Sequence, residues 1–336
     1  MAISGGSDPG VTTAAVVALG GGHGLHASLS ALRHVVDDLT AVVTVADDGG
    51  SSGRLREEFG VLPPGDLRMA LAALCGDDEW GQTWAQVLQH RFAGQGDMRG
   101  HVTGNLLIVS LWEQLGDHVA ALDWVGRLLG AAGRVLPMAL TPLVMTAQVK
   151  GAEPDRPDDV TTVRGQVAVA TSGGQILSVA LDPPDPTPCV EAVAAVRDAD
   201  WVVLGPGSWF TSVIAHLLVP ELCRALVETR ARVVVVLNLA PQDGETPGFD
   251  QADHLAALLE HAPELQIHTV LADVRSVRDH DVLRAAVESA GARLVVADVA
   301  ADDGAPRHDP SKLAAAYSVV MGPPEHPGIH PRGPQG

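Results

Sequence analysis

Two adjacent carboxylates, Asp47 and Asp48, open the run DDGGSSGR, in which Gly49, Gly50, Ser51, Ser52, Gly53 and Arg54 follow them. Carboxylates, hydroxyls, pliable backbone and a cation in so short a stretch suit a ligand better than a plain surface turn. At the end of a second strand, an acidic residue can hold a ribose hydroxyl. Neighbouring carboxylates can also carry Mg2+ through oxygen beside a phosphate, or they can simply pair with Arg54 or Arg68 and fix the loop. Upstream stands a glycine cluster, Gly20, Gly21, Gly22 and Gly24, interrupted by His23. Glycines let backbone N–H groups approach a phosphate, and a helix N-terminus adds a favourable field. The fingerprint G-x-G-x-x-G is not met, because Leu25 or Ala27 stands where its third glycine falls.

A second glycine-rich strand end, Gly205, Pro206, Gly207 and Ser208, is followed by Thr211 and Ser212. It offers N–H and hydroxyl donors to a phosphate or sugar, or it is a tight turn with Ser and Thr as caps. Two such strand ends in one chain favour a shared crevice. Asn238 sits just past a strand, where cleft residues lie. Asp66 reads most simply as the N-cap of a helix, whereas Arg68 in that helix's first turn opposes the dipole and is a candidate for an anionic ligand. His101 and Asn105 stand at a loop-to-helix junction, where water exposure and capping are the ordinary readings. Histidines number 14, yet they form neither HExxH nor a His/Cys/Asp cluster, and no GxSxG elbow or GxxxxGK[ST] loop occurs. Lys150 and Lys312 are the only lysines, so arginine must supply cations, with Arg54, Arg68 and Arg307 best placed.

The elements that must position these groups follow a βαβ rhythm. An apolar run (14–19) enters the glycine cluster, Leu25, Leu29, Leu32 and Val36 recur at helical spacing, and a second apolar run (39–46) leads to Asp47. The spacing predicts strand, turn, helix, strand and polar loop. Pro63 and Pro64 stop any helix begun at Leu55, and a new helix starts at Gly65 and Asp66. Residues 134–183 read as an antiparallel excursion, with a hairpin around Ser172, Gly173 and Gly174. After it, the α/β rhythm resumes, with strand, glycine turn and helix over 201–220, and a last helix begins after Asp309 and Pro310. Parallel α/β sheets bind ligands outside the carboxyl ends of their strands. The expected fold is therefore a Rossmann-like three-layer α/β sandwich with a mostly parallel sheet and a small antiparallel excursion. Residues 1–13 are expected to be a disordered leader, 14–321 a single domain, and 322–336 a disordered tail.

The segments GGGHGL, VTVADDGGSSGRLR, GVLPPGDLR, GHVTGNLL, LGPGSWFTSVI and PQDGETPGF, in this order, resemble the YvcK family of gluconeogenesis factors, within the CofD-like superfamily named for 2-phospho-L-lactate transferase. The resemblance runs from about Val16 to about Tyr317. The sequence departs from the family pattern at His23, where Thr is common, and at Ala215 and His216, where Pro-Asn is common. The latter change is expected to alter a helix start rather than chemistry. The resemblance implies binding of a UDP-sugar, notably UDP-N-acetylglucosamine, and a role in cell shape and envelope homeostasis on gluconeogenic carbon sources. It raises His101 and Asn105 to cleft residues and makes Arg307, in an RHD motif, a closing residue. It implies no required cofactor. The alternative it carries is a Mg2+-dependent phospholactate transferase acting on a deazaflavin, with Asp47 and Asp48 at the metal; an NAD-dependent oxidoreductase ranks third.

The net charge of −19 makes nucleic acid or anionic membrane a poor partner, and any phosphate site must overcome the global field locally. Apolar residues make up 46% and aromatics only 3%, so the core must be aliphatic. Cys75, Cys189 and Cys223 are few, odd in number and far apart, which fits a reducing compartment and small core residues. The N-terminus lacks a basic n-region, and no apolar run approaches the roughly 20 residues of a membrane span. The expected location is cytoplasmic, and the resemblance leaves room for a homodimer.

Overall fold

The computed structural model describes residues 12–153 and 155–322. Its main sheet has seven strands in the order β10-β9-β8-β7-β1-β2-β3, every pair parallel. The strands are β1 (Thr12–Gly20), β2 (Val36–Val43), β3 (Arg134–Pro137), β7 (Trp201–Leu204), β8 (Arg232–Val236), β9 (Thr269–Asp273) and β10 (Arg293–Ala297). The central strands are Val- and Leu-rich, and Val17, Ala18, Leu19, Val202, Val203, Val234 and Val235 are fully buried. Such continuous apolar runs are what a parallel sheet covered on both faces demands.

Helices α1 (Gly22–Leu32), α2 (Gly50–Phe59), α3 (Gly65–Ala73), α4 (Glu79–Gln89), α5 (Thr103–Leu115) and α6 (His118–Leu129) precede β3. A separate three-stranded sheet follows, β4 (Val144–Lys150), β5 (Val160–Arg164) and β6 (Gln175–Asp182), with the short helix α7 (Gln166–Ala170) inside it. Helices α8 (Val190–Asp198), α9 (Pro220–Glu228), α10 (Gln251–His261), α11 (His280–Ser289) and α12 (Pro310–Met321) complete the main unit. Helix α1 packs against α3 and α12, α8 against α9, and α10 against α11. A buried hydroxyl pair, Ser28 Oγ with Tyr317 Oη at 2.5 Å, ties α1 to α12. Among the described residues, no single helix is long and apolar enough to cross a membrane.

The sandwich is the expected one, and several local expectations are corrected. The expected leader and tail lie outside the described residues except at their inner edges. There Thr12 and Thr13 already belong to β1, and Gly322 ends α12. The polar loop after β2 closes at Gly49, because Ser51, Ser52 and Arg54 sit in α2. Asp66 does not cap α3: Pro64 holds that position, and Asp66 lies inside the first turn. Strand β3 joins the main sheet beside β2, so the antiparallel excursion starts at β4. No hairpin forms around Gly173. Strands β5 and β6 both pair with β4, on opposite edges, and α7 bridges them. The segment after β7 is a π-helical turn (Trp209–Val213) and then a 3₁₀ stretch (Ile214–Leu218). Ser208 O accepts from both Ser212 N and Val213 N, which widens the first turn. His216 starts no helix: it is fully buried, and its Nε2 meets Val42 O at 3.1 Å.

The strand order reverses at β1. The chain leaves β1 toward β2 and β3, then returns on the other side through β7. The turns after β1 and β7 therefore face each other across a crevice, and they touch. A Cβ on Gly24 would lie 2.2 Å from Pro206 O and 2.6 Å from the Gly207 Cα. Both obstacles are backbone, so the clash cannot be relieved by a rotamer change. Gly24→Ala should destabilise the fold by about 1–3 kcal/mol, the usual range for overpacking. Gly94→Ala, where a Cβ meets nothing within 4 Å, should stay near wild type. Thermal denaturation of both variants checks this; equal melting temperatures would show that the two turns move apart freely.

Candidate functional site

A cavity of about 690 Å³ occupies the crevice between the β1 and β7 turns. Of the residues expected from sequence, Gly21, Gly22, His23, Gly24, Asp47, Asp66, Pro206, Gly207, Ser208, Thr211, Ser212, Asn238 and Arg307 line it. Gly20 lies buried at the end of β1, and Gly205 is buried behind the β7 turn. Asp48, Gly49, Gly50, Ser51, Ser52, Arg54, Arg68, His101 and Asn105 are not among its lining residues.

The N-terminus of α1 opens into this cavity. Gly21 is the N-cap in extended conformation and has no side chain to cap with, and the first turn holds no acidic residue. Gly22 has φ +57, a left-handed conformation that glycine takes without strain. Leu25 N is the first helical amide to find a backbone partner, Gly21 O at 3.3 Å. The amides of residues 22–24 thus lack intrahelical acceptors, as at any helix start. The Gly22 N–H is satisfied by Asp66. His23 and Gly24 line the cavity, where the field of the helix start favours an anion.

The β7 turn was expected to donate in the same way, but most of its donors are already engaged. Gly207 N donates to Asn238 Oδ1 at 3.1 Å, and Asn238 Nδ2 returns to Gly207 O at 2.8 Å. Trp209 N donates to Gln242 Oε1 at 3.1 Å. Phe210 N and Thr211 N donate to Glu245 Oε2 at 2.8 and 3.3 Å, and the Thr211 hydroxyl to Glu245 Oε1 at 2.6 Å. Glu245 is thus a buried cap on the π-turn, and its burial raises its pKa despite the donors around it. Gln242 and Glu245 were missed as functional residues. They stand in PQDGETPGF, but nothing local shows that they cap a turn some thirty residues upstream.

The three acids near β2 and α3 take different places. Asp48 turns away from the cavity and accepts from Val167 N at 3.0 Å, fixing α7. Asp47 Oδ1 accepts from Gly49 N at 2.9 Å. Asp47 and Asp66 reach the cavity. Burial raises the pKa of both; the charge of Asp48 adds to the rise at Asp47, and that of Asp47 to the rise at Asp66, which is pushed up to about 7. Asp66 is half-buried and lines the cavity.

Behind these acids, a polar network locks three helices together. Ser51 Oγ meets His101 Nδ1 at 3.2 Å and accepts from Val102 N at 3.3 Å and Asn105 Nδ2 at 3.2 Å. Asn105 Oδ1 accepts from Arg68 Nε at 2.9 Å, and Ser52 Oγ accepts from Gly65 N at 2.9 Å. His101 and Asn105 are buried, so the water-exposed and capping readings are both replaced by this network. Arg54 lies outside it, donating to Arg99 O at 2.8 Å. Arg68 falls to about 10 through burial and the nearby Arg91, so it stays charged at neutral pH.

On the opposite rim, Arg307 pairs with Asp303 at 2.5 Å while its side chain stays 61% exposed. His308 beside it is buried, its pKa falls to about 4, and its Nε2 has no partner. Ala27, Met69, Leu239, Ala240, Pro241, Gln242, Pro306 and the α7 residues Gln166, Val167 and Ala170 complete the wall. The α7 residues sit in the excursion, where no sequence signal marks them. Among the described residues, no group of three or more His, Cys, Asp or Glu side chains forms a metal cluster. For Mg2+, the available hard donors are the Asp47 and Asp66 carboxylates. That number suits an ion whose other ligands are water and phosphate oxygens.

Because Asp66 titrates higher in the folded chain than its ordinary 3.8, its proton favours folding. That contribution is complete below about pH 4 and is lost as pH rises through about 7. Asp66→Asn keeps the oxygen that accepts from Gly22 and removes the charge. It should raise the melting temperature by a few degrees at pH 8 and leave it unchanged near pH 4. A difference independent of pH would contradict the burial of this charge.

Residues 16–307 match the family model described as 2-phospho-L-lactate transferase CofD. A protein of Mycobacterium tuberculosis (strain ATCC 25618 / H37Rv), named provisionally as a gluconeogenesis factor, is 54% identical over 92% of this chain and 90% of its own length. The gluconeogenesis factor of Listeria innocua is 35% identical over 91% of this chain and 95% of its own. A crystal structure of a UPF0052-family protein from Bacillus halodurans superposes with a TM-score of 0.81 at 33% identity, covering 91% of this chain and 99% of that one. The chain belongs to the CofD family, among the members that carry the name gluconeogenesis factor.

Proposed function

We propose that this chain binds a nucleotide-activated sugar, UDP-N-acetylglucosamine or a close relative, in the cavity between the β1 and β7 turns. Binding would regulate cell shape and envelope homeostasis during growth on gluconeogenic carbon sources; the names of its relatives support the gluconeogenic part of this role. The observation that carries the reading is the glycine-capped N-terminus of α1, whose residues Gly22, His23 and Gly24 line a cavity of about 690 Å³. Pockets of about 300–1,000 Å³ suit small molecules of this class. In a chain of net charge −19, fixed backbone donors are the local means of holding a diphosphate. Arg307 stands at the rim and pairs with the exposed carboxylate of Asp303, which it can exchange for a phosphate. Its planar fork matches phosphate oxygens in two contacts.

Calorimetric titration with UDP-N-acetylglucosamine, NAD and GDP tests the ligand class, and only the first should bind tightly. Arg307→Ala should weaken that binding at least tenfold, since a charge-assisted contact is worth about 1.5–3 kcal/mol. The melting temperature of the free protein should not move, because an exposed pair contributes about 0–1 kcal/mol. Wild-type affinity in this variant would leave Arg307 a surface residue.

The second reading is a Mg2+-dependent transferase of phospholactate to a deazaflavin, as in the enzyme that names the family. The pairing of Asp47 with Asp66 favours it, since a divalent cation would relieve their mutual repulsion. Under the first reading, affinity survives EDTA. A loss of affinity that Mg2+ restores would favour the second.

A further inference from the structure

Aromatic residues make up only 3% of the chain, yet three of its six tryptophans gather on one outer face, formed by α4 and α6. Trp80 and Trp124 are each 54% exposed. Trp80 leans on Trp84, with ring centroids 5.7 Å apart, and its Nε1 donates to Leu128 O at 3.2 Å. That bond joins the start of α4 to the end of α6. Val87 follows Trp84, and Leu128 follows Trp124, at helical spacing, and both are exposed. The result is one apolar strip across two helices. Tryptophan is among the residues most enriched where binding energy is concentrated, and an exposed apolar strip of this kind marks a contact surface.

Beyond Gly322 the sequence reads PPEHPGIHPRGPQG, with five prolines in fourteen residues. Pro324 and Pro327, and again Pro331 and Pro334, form the repeat P-x-x-P. A polyproline II helix has three residues per turn, so each pair falls on one side of it. Grooves lined with aromatic rings bind such segments, which lose little entropy because the conformation is favoured before docking.

The fold brings this segment to the strip. Helices α1 and α12 both begin beside the cavity, at Gly22 and Pro310, and run the same way. Ser28 meets Tyr317 between them. Five residues further on stand Arg33 at the end of α1 and Gly322 at the end of α12, so the chain leaves α12 level with Arg33. Arg33 pairs with Asp77, just before α4. Gly322 is therefore roughly 20 Å, or two helix spacings, from Trp80, whereas fourteen residues of polyproline II span about 43 Å. At the near rim Asp78 and Glu79 are exposed and form no ion pair among the described residues, which suits Arg332. A second copy would instead bring two acidic rims together in a chain of net charge −19.

We propose that residues 323–336 dock on the Trp80, Trp84 and Trp124 face of their own chain as a polyproline II segment, with prolines against the indole rings and Arg332 facing Asp78 and Glu79.

The test uses the full chain labelled with 5-fluorotryptophan, whose fluorine resonances are assigned with Trp80→Phe, Trp124→Phe and Trp209→Phe. Replacing Pro324, Pro327, Pro331 and Pro334 by Ala should shift the Trp80 and Trp124 signals and leave that of the buried Trp209 in place, which also reports an intact fold. A synthetic peptide of residues 323–336, added to this variant, should return both signals toward their wild-type positions. Wild-type signals should not change on dilution. Unmoved Trp80 and Trp124 signals in the proline variant would overturn the proposal. Wild-type signals that move on dilution would do the same, and would give the face to a second copy.

Discussion

The structure depends on one steric constraint, the contact between the start of α1 and the turn after β7. The backbone at Gly24 lies against the Pro206 carbonyl with no room for a Cβ. That contact closes the floor of the crevice at the point where the sheet reverses its order. Parallel α/β sheets place binding sites there because adjacent strands send their loops in opposite directions. Here the loops are braced against each other, so the α1 amides hold a fixed direction instead of moving with a loose turn. Preorganised donors of this kind need little reordering when an anion arrives.

Carboxylates decide which donors remain available. Glu245 takes the N–H groups of the π-turn after β7, and Asp48 takes the start of α7. Both acids are structural, and both silence helix starts that would otherwise compete for an anion. The α1 N-terminus has no acidic residue in its first turn, and its N-cap Gly21 has no side chain to cap with. Asp66 engages Gly22 alone. The result is a cavity with one donor end in a molecule whose overall field is negative. On the other side, the charge of Asp47 adds to burial in raising the pKa of Asp66 to about 7, which makes that side sensitive to proton concentration.

The sequence by itself determined the architecture and much of the crevice. Alternation of apolar runs with helical spacing predicted the parallel sandwich, and Val- and Leu-rich strands such as β7 and β8 needed covering on both faces. The glycine cluster marked the turn after β1, because glycine tolerates both the left-handed Gly22 and the crowding at Gly24. These are short-range properties of the chain, set by side-chain shape and backbone sterics within one element. Tertiary structure decided the rest. Asp47 and Asp48 are neighbours with the same chemistry, yet one faces the cavity and the other caps α7, because α7 arrives from over a hundred residues away. Asp66 looked like a cap and became a cavity wall; Asn105 looked like a cap and became the partner of Arg68. Gln166 and Glu245 carried no local signal. Whether a polar group caps, pairs or stays open depends on which distant backbone meets it, and only the packed chain brings those partners within hydrogen-bond reach.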